Sequence, residues 1–134
     1  MSTSRRKERE IAFQMLFAAQ FSPEAESEAL FETLAGEWEE DVTGSAYIRE
    51  AFFGTRAYAD KAREKIEANA QGWRIDRLSK TTLTILQLAI YEMDVREDVP
   101  VKIAINEAVE LAKRFDEDGG RKFINGILGA VAGK

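Results

Sequence analysis

Apolar residues recur at helical spacing along almost the whole chain, and this periodicity is the strongest constraint on the fold. The clearest segment is KTTLTILQLAIYEM, residues 80–93, which is apolar on nearly every side. A helix that is apolar all round is buried, so we expect this segment to be the central helix. The alternation of apolar and polar residues that marks half-buried strands is nearly absent. The sequence therefore predicts an all-α protein.

Turn residues set the limits of the other predicted helices. Ser22 followed by Pro23 predicts a helix start, because proline at the first helical position has no N–H to lose. One long helix is expected between a turn at 41–45 and Gly72, and a short helical turn at 73–78. The remaining predicted helices span about residues 4–20, 22–39, 100–115 and 121–131. A chain of 134 residues fits one domain, here a bundle of six to seven helices.

Composition argues against an enzyme. The chain has no histidine and no cysteine, which removes the commonest general base, the commonest metal ligand and all thiol chemistry. The acidic runs EWEED at 37–41 and DED at 116–118 are typical of solvated faces, and DED lacks the ligand spacing of an EF-hand. We therefore expect no catalytic residue, no metal site and no cofactor.

No targeting segment is visible in the sequence. The least charged stretch is TTLTILQLAIY at 81–91, and it is shorter than the roughly 20 residues that a membrane span needs. We therefore expect a cytoplasmic protein without a membrane contact.

Charge is distributed unevenly. The first ten residues carry four cations, Arg5, Arg6, Lys7 and Arg9, whereas the whole chain has 19 cations against 24 carboxylates. Cations at a helix N-terminus oppose the helix dipole, at roughly 0.3–1 kcal/mol each. An incoming phosphate offsets this cost, because it can use the free N–H groups and the guanidinium side chains together. The alternative is a frayed, solubilising terminus, and composition alone leaves both readings open.

Two aromatic residues are candidates for stacking on unpaired bases. Tyr47 opens the long helix just outside its apolar seam, a position that leaves partial exposure open, and Phe123 follows a Gly-Gly loop and Lys122. Base stacking on an aromatic ring is worth ~1–3 kcal/mol and does not require a basic fold. The alternative for both rings is core packing, the commoner place for aromatic side chains.

Several motifs resemble the NusB family of bacterial transcription antitermination factors. The most specific are VPVKIAINEAVELAKRF at 99–115 and RKFINGIL at 121–128. Other matching pieces follow in the same order: Arg9, Ala12, Gln14, Leu16 and Phe17; Tyr47 before FFG; Trp73, Asp76, Arg77 and Leu78 before ILQLAIYE. The similarity covers essentially the whole chain. It implies an all-α, single compact domain of two packed helical bundles over residues 1–134.

The resemblance also implies a function and partners. Members of the family bind the boxA element of nascent RNA, a short single strand in ribosomal RNA operon leaders, together with NusE, a ribosomal small-subunit protein. The pair joins an antitermination complex on RNA polymerase. By position, the RNA-binding residues would be Arg5, Arg6, Lys7, Arg9, Tyr47, Lys122 and Phe123.

The chain departs from the family pattern near the surface implied for NusE. An acid–arginine pair common in the family is replaced by Thr82 and Leu83, and an arginine by Gln87. With Arg77, these positions form the expected NusE interface, which we expect to be weaker or altered.

Two alternatives keep the same fold. One is a helical protein-interaction module with weak or no RNA binding, and the other is a homodimer that hides its basic surface. Salt dependence separates them from an RNA-binding factor. If the four N-terminal cations neutralise four phosphates of a single strand, the log–log salt slope should be about −3.

Overall fold

The computed structural model describes residues 4–70, 75–116 and 120–133. Within these ranges all regular structure is helical, so the prediction of an all-α fold with six to seven helices is confirmed. The helices are α1 Arg5–Ala19, α2 Ser27–Ala35, α3 Ala46–Ala57, α4 Ala59–Asn69, α5 Lys80–Val95, α6 Val101–Phe115 and α7 Gly120–Ala132, with a short 3₁₀ turn at Ile75–Arg77.

Contacts divide the chain into two compact units. Unit 1 runs from Met1 to Ala57 and unit 2 from Tyr58 to Lys134. The assignment of residues 1–134 to one domain stays a prediction. No helix in the described part of the chain is long and apolar enough to cross a membrane.

Unit 1 is built around α1, which packs on α2 and α3. Its core contains an aromatic cluster in which the Phe31 ring lies 5.4 Å from the rings of Phe52 and Phe53. Arg49 donates to both carboxylate oxygens of Glu28 at 3.0 Å, which ties α3 to α2. The apolar stripe of α1 is therefore buried by other residues of unit 1.

Unit 2 is built around α5, as its apolar sequence predicted. Residues 82–92 of this helix are all buried, and α5 packs on α4, α6 and α7. Arg96 forms two hydrogen bonds with the Asp98 carboxylate, at 2.8 and 3.0 Å, just after the helix ends. This pairing, opposed by burial, raises the pKa of Arg96 above its usual range, so the guanidinium stays charged.

The predicted start of the second helix at Ser22 and Pro23 is wrong. Residues 22–25 form a turn in which the Ala25 N–H donates to the Ser22 carbonyl at 3.0 Å. The helix begins at Ser27 because the Glu26 side chain caps it, accepting from the Ala29 N–H at 2.9 Å. A carboxylate at this position satisfies an N–H and also suits the helix dipole.

The predicted long helix is broken at Tyr58. Its halves are α3 and α4, and Tyr58 between them has φ −94° and ψ 3°. The Tyr58 hydroxyl donates to Asp94 of α5 at 2.6 Å, and Lys65 pairs with the same carboxylate. Burial and this hydrogen bond raise the pKa of Tyr58 to about 12. Gly72 and Trp73 lie outside the described residues; the described part of the 73–78 segment contains the expected turn, at Ile75–Arg77.

Candidate nucleic-acid interface

The N-terminus of α1 combines a capped helix end with exposed cations. Ser4 caps the helix, its hydroxyl accepting a hydrogen bond from the Lys7 backbone N–H at 3.1 Å. This cap uses one of the N–H groups that a bound anion would otherwise take. Arg5 and Arg6 are exposed and Lys7 is half-buried. An anion would therefore bind here mainly through the cationic side chains and less through the backbone N–H groups of the helix end.

Tyr47 lies beneath two of these cations. The Arg5 guanidinium carbon is 4.4 Å from the centre of the Tyr47 ring, and that of Arg9 is 5.5 Å away. Tyr47 is 3% exposed and Arg9 4% exposed. Of the two placements that the sequence left open for Tyr47, the structure shows core packing, because its ring is covered in unit 1. We call Tyr47, Arg5 and Arg9 the cation platform.

Glu8 fixes the platform to the start of α3. One of its carboxylate oxygens lies 3.3 Å from Arg5 Nε, and the other accepts from the Ser45 hydroxyl at 2.5 Å. The same Ser45 oxygen accepts from the Ile48 N–H at 3.1 Å, within the first turn of α3. One hydroxyl and one carboxylate thus connect the beginnings of α1 and α3.

The acidic run at 37–41 supplies a second counter-charge. Lys7 Nζ lies 3.7 Å from a carboxylate oxygen of Glu40, and both side chains are 40% exposed. Exposed ion pairs of this kind are worth about 0–1 kcal/mol. A phosphate group can therefore displace Glu40 at little cost.

The predicted residues in unit 2 lie at the start of α7. Lys122 is exposed and Phe123 is partly buried, in the first turn of the helix. Gly119, one of the two loop glycines, lies outside the described residues. Gly120 is the first helical residue, and a Cβ added there would meet the Asp116 carboxylate. A larger residue at this position would require the Asp116 carboxylate to shift.

The four residues expected to contact NusE differ in exposure. Arg77 is exposed, whereas Thr82 and Gln87 are 8% exposed and Leu83 is 9% exposed. The Thr82 hydroxyl also donates to Asp116 at 2.7 Å. Three of the four are thus nearly covered in the chain alone, and a role in binding NusE stays a prediction for all of them.

A groove of mixed polarity in unit 1 was not predicted. It has a volume of about 250 Å³ and is lined by Gln14, Met15, Ala18, Leu34, Glu37 and Trp38. Phe21, just beyond the end of α1, is 63% exposed, and its ring lies 5.5 Å from that of Phe17. The four-residue spacing of Phe13, Phe17 and Phe21 indicates that neighbouring rings meet, but it does not distinguish the buried Phe13 from the exposed Phe21.

No cluster of acidic side chains within residues 4–70, 75–116 and 120–133 is placed to hold a metal ion. Glu117 and Asp118 of the DED run lie outside these residues.

Comparison with known proteins assigns the chain to a family. The sequence pattern of the NusB family matches residues 6–133. The transcription antitermination protein NusB of Limosilactobacillus fermentum is 44% identical over 99% of this chain and 96% of its own length. That of Oleidesulfovibrio alaskensis is 43% identical over 98% of this chain and 88% of its own. The chain therefore belongs to the NusB family.

Solved structures agree with this assignment. T. maritima NusB superposes with a TM-score of 0.86 at 29% identity, covering all of this chain and 94% of the other. A structure of the antitermination factors NusB and NusE in complex with dsRNA shares the fold, with a TM-score of 0.78 at 23% identity over 95% of this chain and 94% of the other.

Proposed function

We propose that the chain is a transcription antitermination factor that binds boxA-type single-stranded RNA in ribosomal RNA operon leaders. It acts together with NusE and joins an antitermination complex on RNA polymerase. Membership of a family whose relatives carry the name of transcription antitermination proteins supports this role. So does the basic start of α1.

The observation that carries the proposal is the cation platform. Arg5 and Arg9 lie over one buried ring, while Arg6 and Lys7 complete the basic surface of the same helix start. A side chain held in place before binding loses less conformational entropy when a phosphate arrives. Tyr47 therefore contributes to RNA binding by positioning the arginines, not by stacking on a base.

The other proposed contacts are more exposed. Lys122 offers a second phosphate contact at the start of α7, beside Phe123. A short, unpaired strand suits such contacts, because single-stranded RNA is recognised through its phosphates and splayed bases. The role uses no catalytic group and no cofactor, and it places the protein in the cytoplasm, where bacterial transcription occurs.

For NusE, Arg77 is the exposed candidate among the four residues implied by the family. The low exposure of Thr82, Leu83 and Gln87 supports an interface that uses them little.

A second candidate function is a helical protein-interaction module with weak RNA binding. Two separate features favour it: the groove lined in part by Trp38, and the exposed ring of Phe21. Aromatic residues are enriched in protein–protein contacts. A homodimer that covers the basic surface is a form of the same alternative.

Fluorescence anisotropy with a labelled boxA strand and a scrambled strand tests the proposed function. We expect preference for boxA and a further gain when NusE is present. A variant in which Arg5, Arg6 and Lys7 are all alanine should lose binding to both strands.

The two functions give different results in this experiment. Equal, weak binding of both strands, unaffected by the triple substitution and by NusE, would reject the RNA-binding role and favour the interaction module. The mass of the free protein in solution separates the homodimer from the monomer.

A further inference from the structure

A short relay of hydroxyl groups connects α5 to the end of α6. The Ser79 hydroxyl donates to Thr82 Oγ1 at 3.0 Å, and Thr82 Oγ1 donates to Asp116 Oδ2 at 2.7 Å. Ser79 also caps α5, its hydroxyl accepting from the Thr82 N–H at 3.0 Å. Thr82, in the middle of the relay, is 8% exposed, whereas Ser79 is exposed and Asp116 is partly buried.

The relay ends at a carboxylate that contacts the beginning of α7. Asp116 closes α6, its N–H donating to the Ala112 carbonyl at 2.9 Å. Its carboxylate fills the space where a Cβ of Gly120 would lie. Gly120 begins the turn that carries Lys122, so Asp116 links Thr82 to the first residue of that turn.

We propose that Thr82 is a positioning residue, which acts through Asp116 to hold the first turn of α7 so that Lys122 meets an RNA phosphate. This inference rests on the proposed function. It gives Thr82 a role inside unit 2 in place of a direct contact with NusE.

Two comparisons separate positioning from simpler roles. Thr84 lies on the same helix and is fully buried, but its hydroxyl donates to the Lys80 carbonyl of its own helix at 2.6 Å. General packing of α5 would make both threonines equally important. A purely electrostatic role for Asp116 would oppose RNA, since its charge repels phosphate, whereas positioning makes Asp116 favourable to binding.

The test uses the full-length variants T82V, T82S and T84V with labelled boxA RNA over a series of salt concentrations. T82V should weaken binding roughly three- to tenfold, the worth of one hydrogen bond. Its salt slope should become shallower by about 0.7, the loss of one phosphate contact. T82S, which keeps the hydroxyl, and T84V, the matched control, should stay within about twofold of the wild type.

Two further variants place the effect at Lys122. T82V should cost no additional affinity in a K122A background, because the contact that it positions is already absent. D116A should weaken binding as T82V does. Equal losses in T82V and T84V, or tighter binding by D116A, would overturn the proposal. A change in NusE affinity with an unchanged RNA salt slope would return Thr82 to the partner interface.

Amide hydrogen exchange measures, without RNA, how firmly the first turn of α7 is held. T82V should speed exchange in residues 120–123 several-fold, and T84V should not. Unchanged exchange in T82V refutes the inference even if RNA binds well. A wild-type protein that binds no boxA RNA would instead reject the proposed function, while the exchange result would still decide the role of Thr82.

Discussion

The buried ring of Tyr47 lies under the guanidinium groups of Arg5 and Arg9. Guanidinium groups are attracted to the face of an aromatic ring, by ~0.5–1 kcal/mol at exposed sites and about 2 kcal/mol where water is excluded. With Arg5 and Arg9 both over Tyr47, the ring offsets part of the repulsion between two neighbouring cations. Part of the cost of concentrating positive charge at a helix start is thereby recovered within unit 1.

Replacing Tyr47 by leucine removes the ring face and should weaken RNA binding. We expect Y47L to lose roughly 2- to 10-fold in affinity, because Arg5 must then be ordered when RNA binds. Y47F keeps the ring face and should stay within about threefold of the wild type. Anisotropy titrations at one fixed salt concentration measure both.

Tyr91 provides the matched control for this change. It is 5% exposed and lies on α5 in unit 2. Y91L should lower the melting temperature without reducing the RNA affinity of the folded protein. If Y47L and Y91L lost affinity alike, Tyr47 would matter only for stability.

The cations of α1 are visible in the sequence, but their packing against Tyr47 is not. The cluster of charge at residues 5–9 is visible in the chain itself. The burial of Tyr47 and Arg9 depends on α1 packing against α3, about 40 residues away in sequence, and helical periodicity does not encode that contact. The bond between Thr82 and Asp116 was missed for the same reason, since 34 positions separate its partners.

At the scale of the helix, α1 offers fewer phosphate contacts than its four cations suggest. Arg9 is buried against Tyr47, which leaves Arg5, Arg6 and Lys7 at the surface. Three contacts from α1 contribute about −2 to the log–log salt slope, in place of about −3 for four. The α1 contribution then reduces affinity roughly 20-fold between about 50 and 200 mM salt.

Salt titrations of variants check this count. The R5A/R6A/K7A triple variant should have a slope shallower than that of the wild type by about 2. R9A should reduce affinity by disturbing the platform while leaving the slope unchanged. A slope that flattens by about 0.7 in R9A would mean that Arg9 itself meets a phosphate.

Helix existence was easier to predict than helix limits. The periodicity of α1, α5, α6 and α7 placed all four within about two residues of their observed bounds. The start of α2 was predicted at Ser22 and Pro23, but the helix begins at Ser27, where the Glu26 side chain caps it. The break at Tyr58 lies in a stretch whose apolar spacing is unbroken, and the hydroxyl bond to Asp94 of α5 is a tertiary contact that the spacing does not encode.

At the scale of the whole molecule, an acidic protein carries a local basic surface. The formal net charge is −5, yet residues 5–9 include four cations. Negative charge elsewhere repels nucleic acid that does not fit the local surface, which disfavours arbitrary duplexes. This balance suits the recognition of one short strand.

RNA affinity should be nearly independent of pH around neutrality. The chain has no histidine, the side chain whose ordinary pKa places its change of charge between about pH 5 and pH 8. The stability that Tyr58 contributes is fully present below the ordinary tyrosine pKa and is lost only as pH rises through about 12.

Anisotropy titrations at constant ionic strength across that interval should give dissociation constants that agree within about twofold. A tenfold change would show that RNA binding depends on a titrating group that the side chains of this protein do not supply.

The two units are contiguous in sequence, so the ribosome releases them one after the other. Domains generally fold as units during synthesis, N-terminal first, while residues are added at roughly 5–20 per second. Both guanidinium–ring contacts of the cation platform lie within unit 1. All residues of this basic surface are therefore synthesised before any residue of unit 2, and the nascent chain carries these cations while still attached to a particle made largely of RNA.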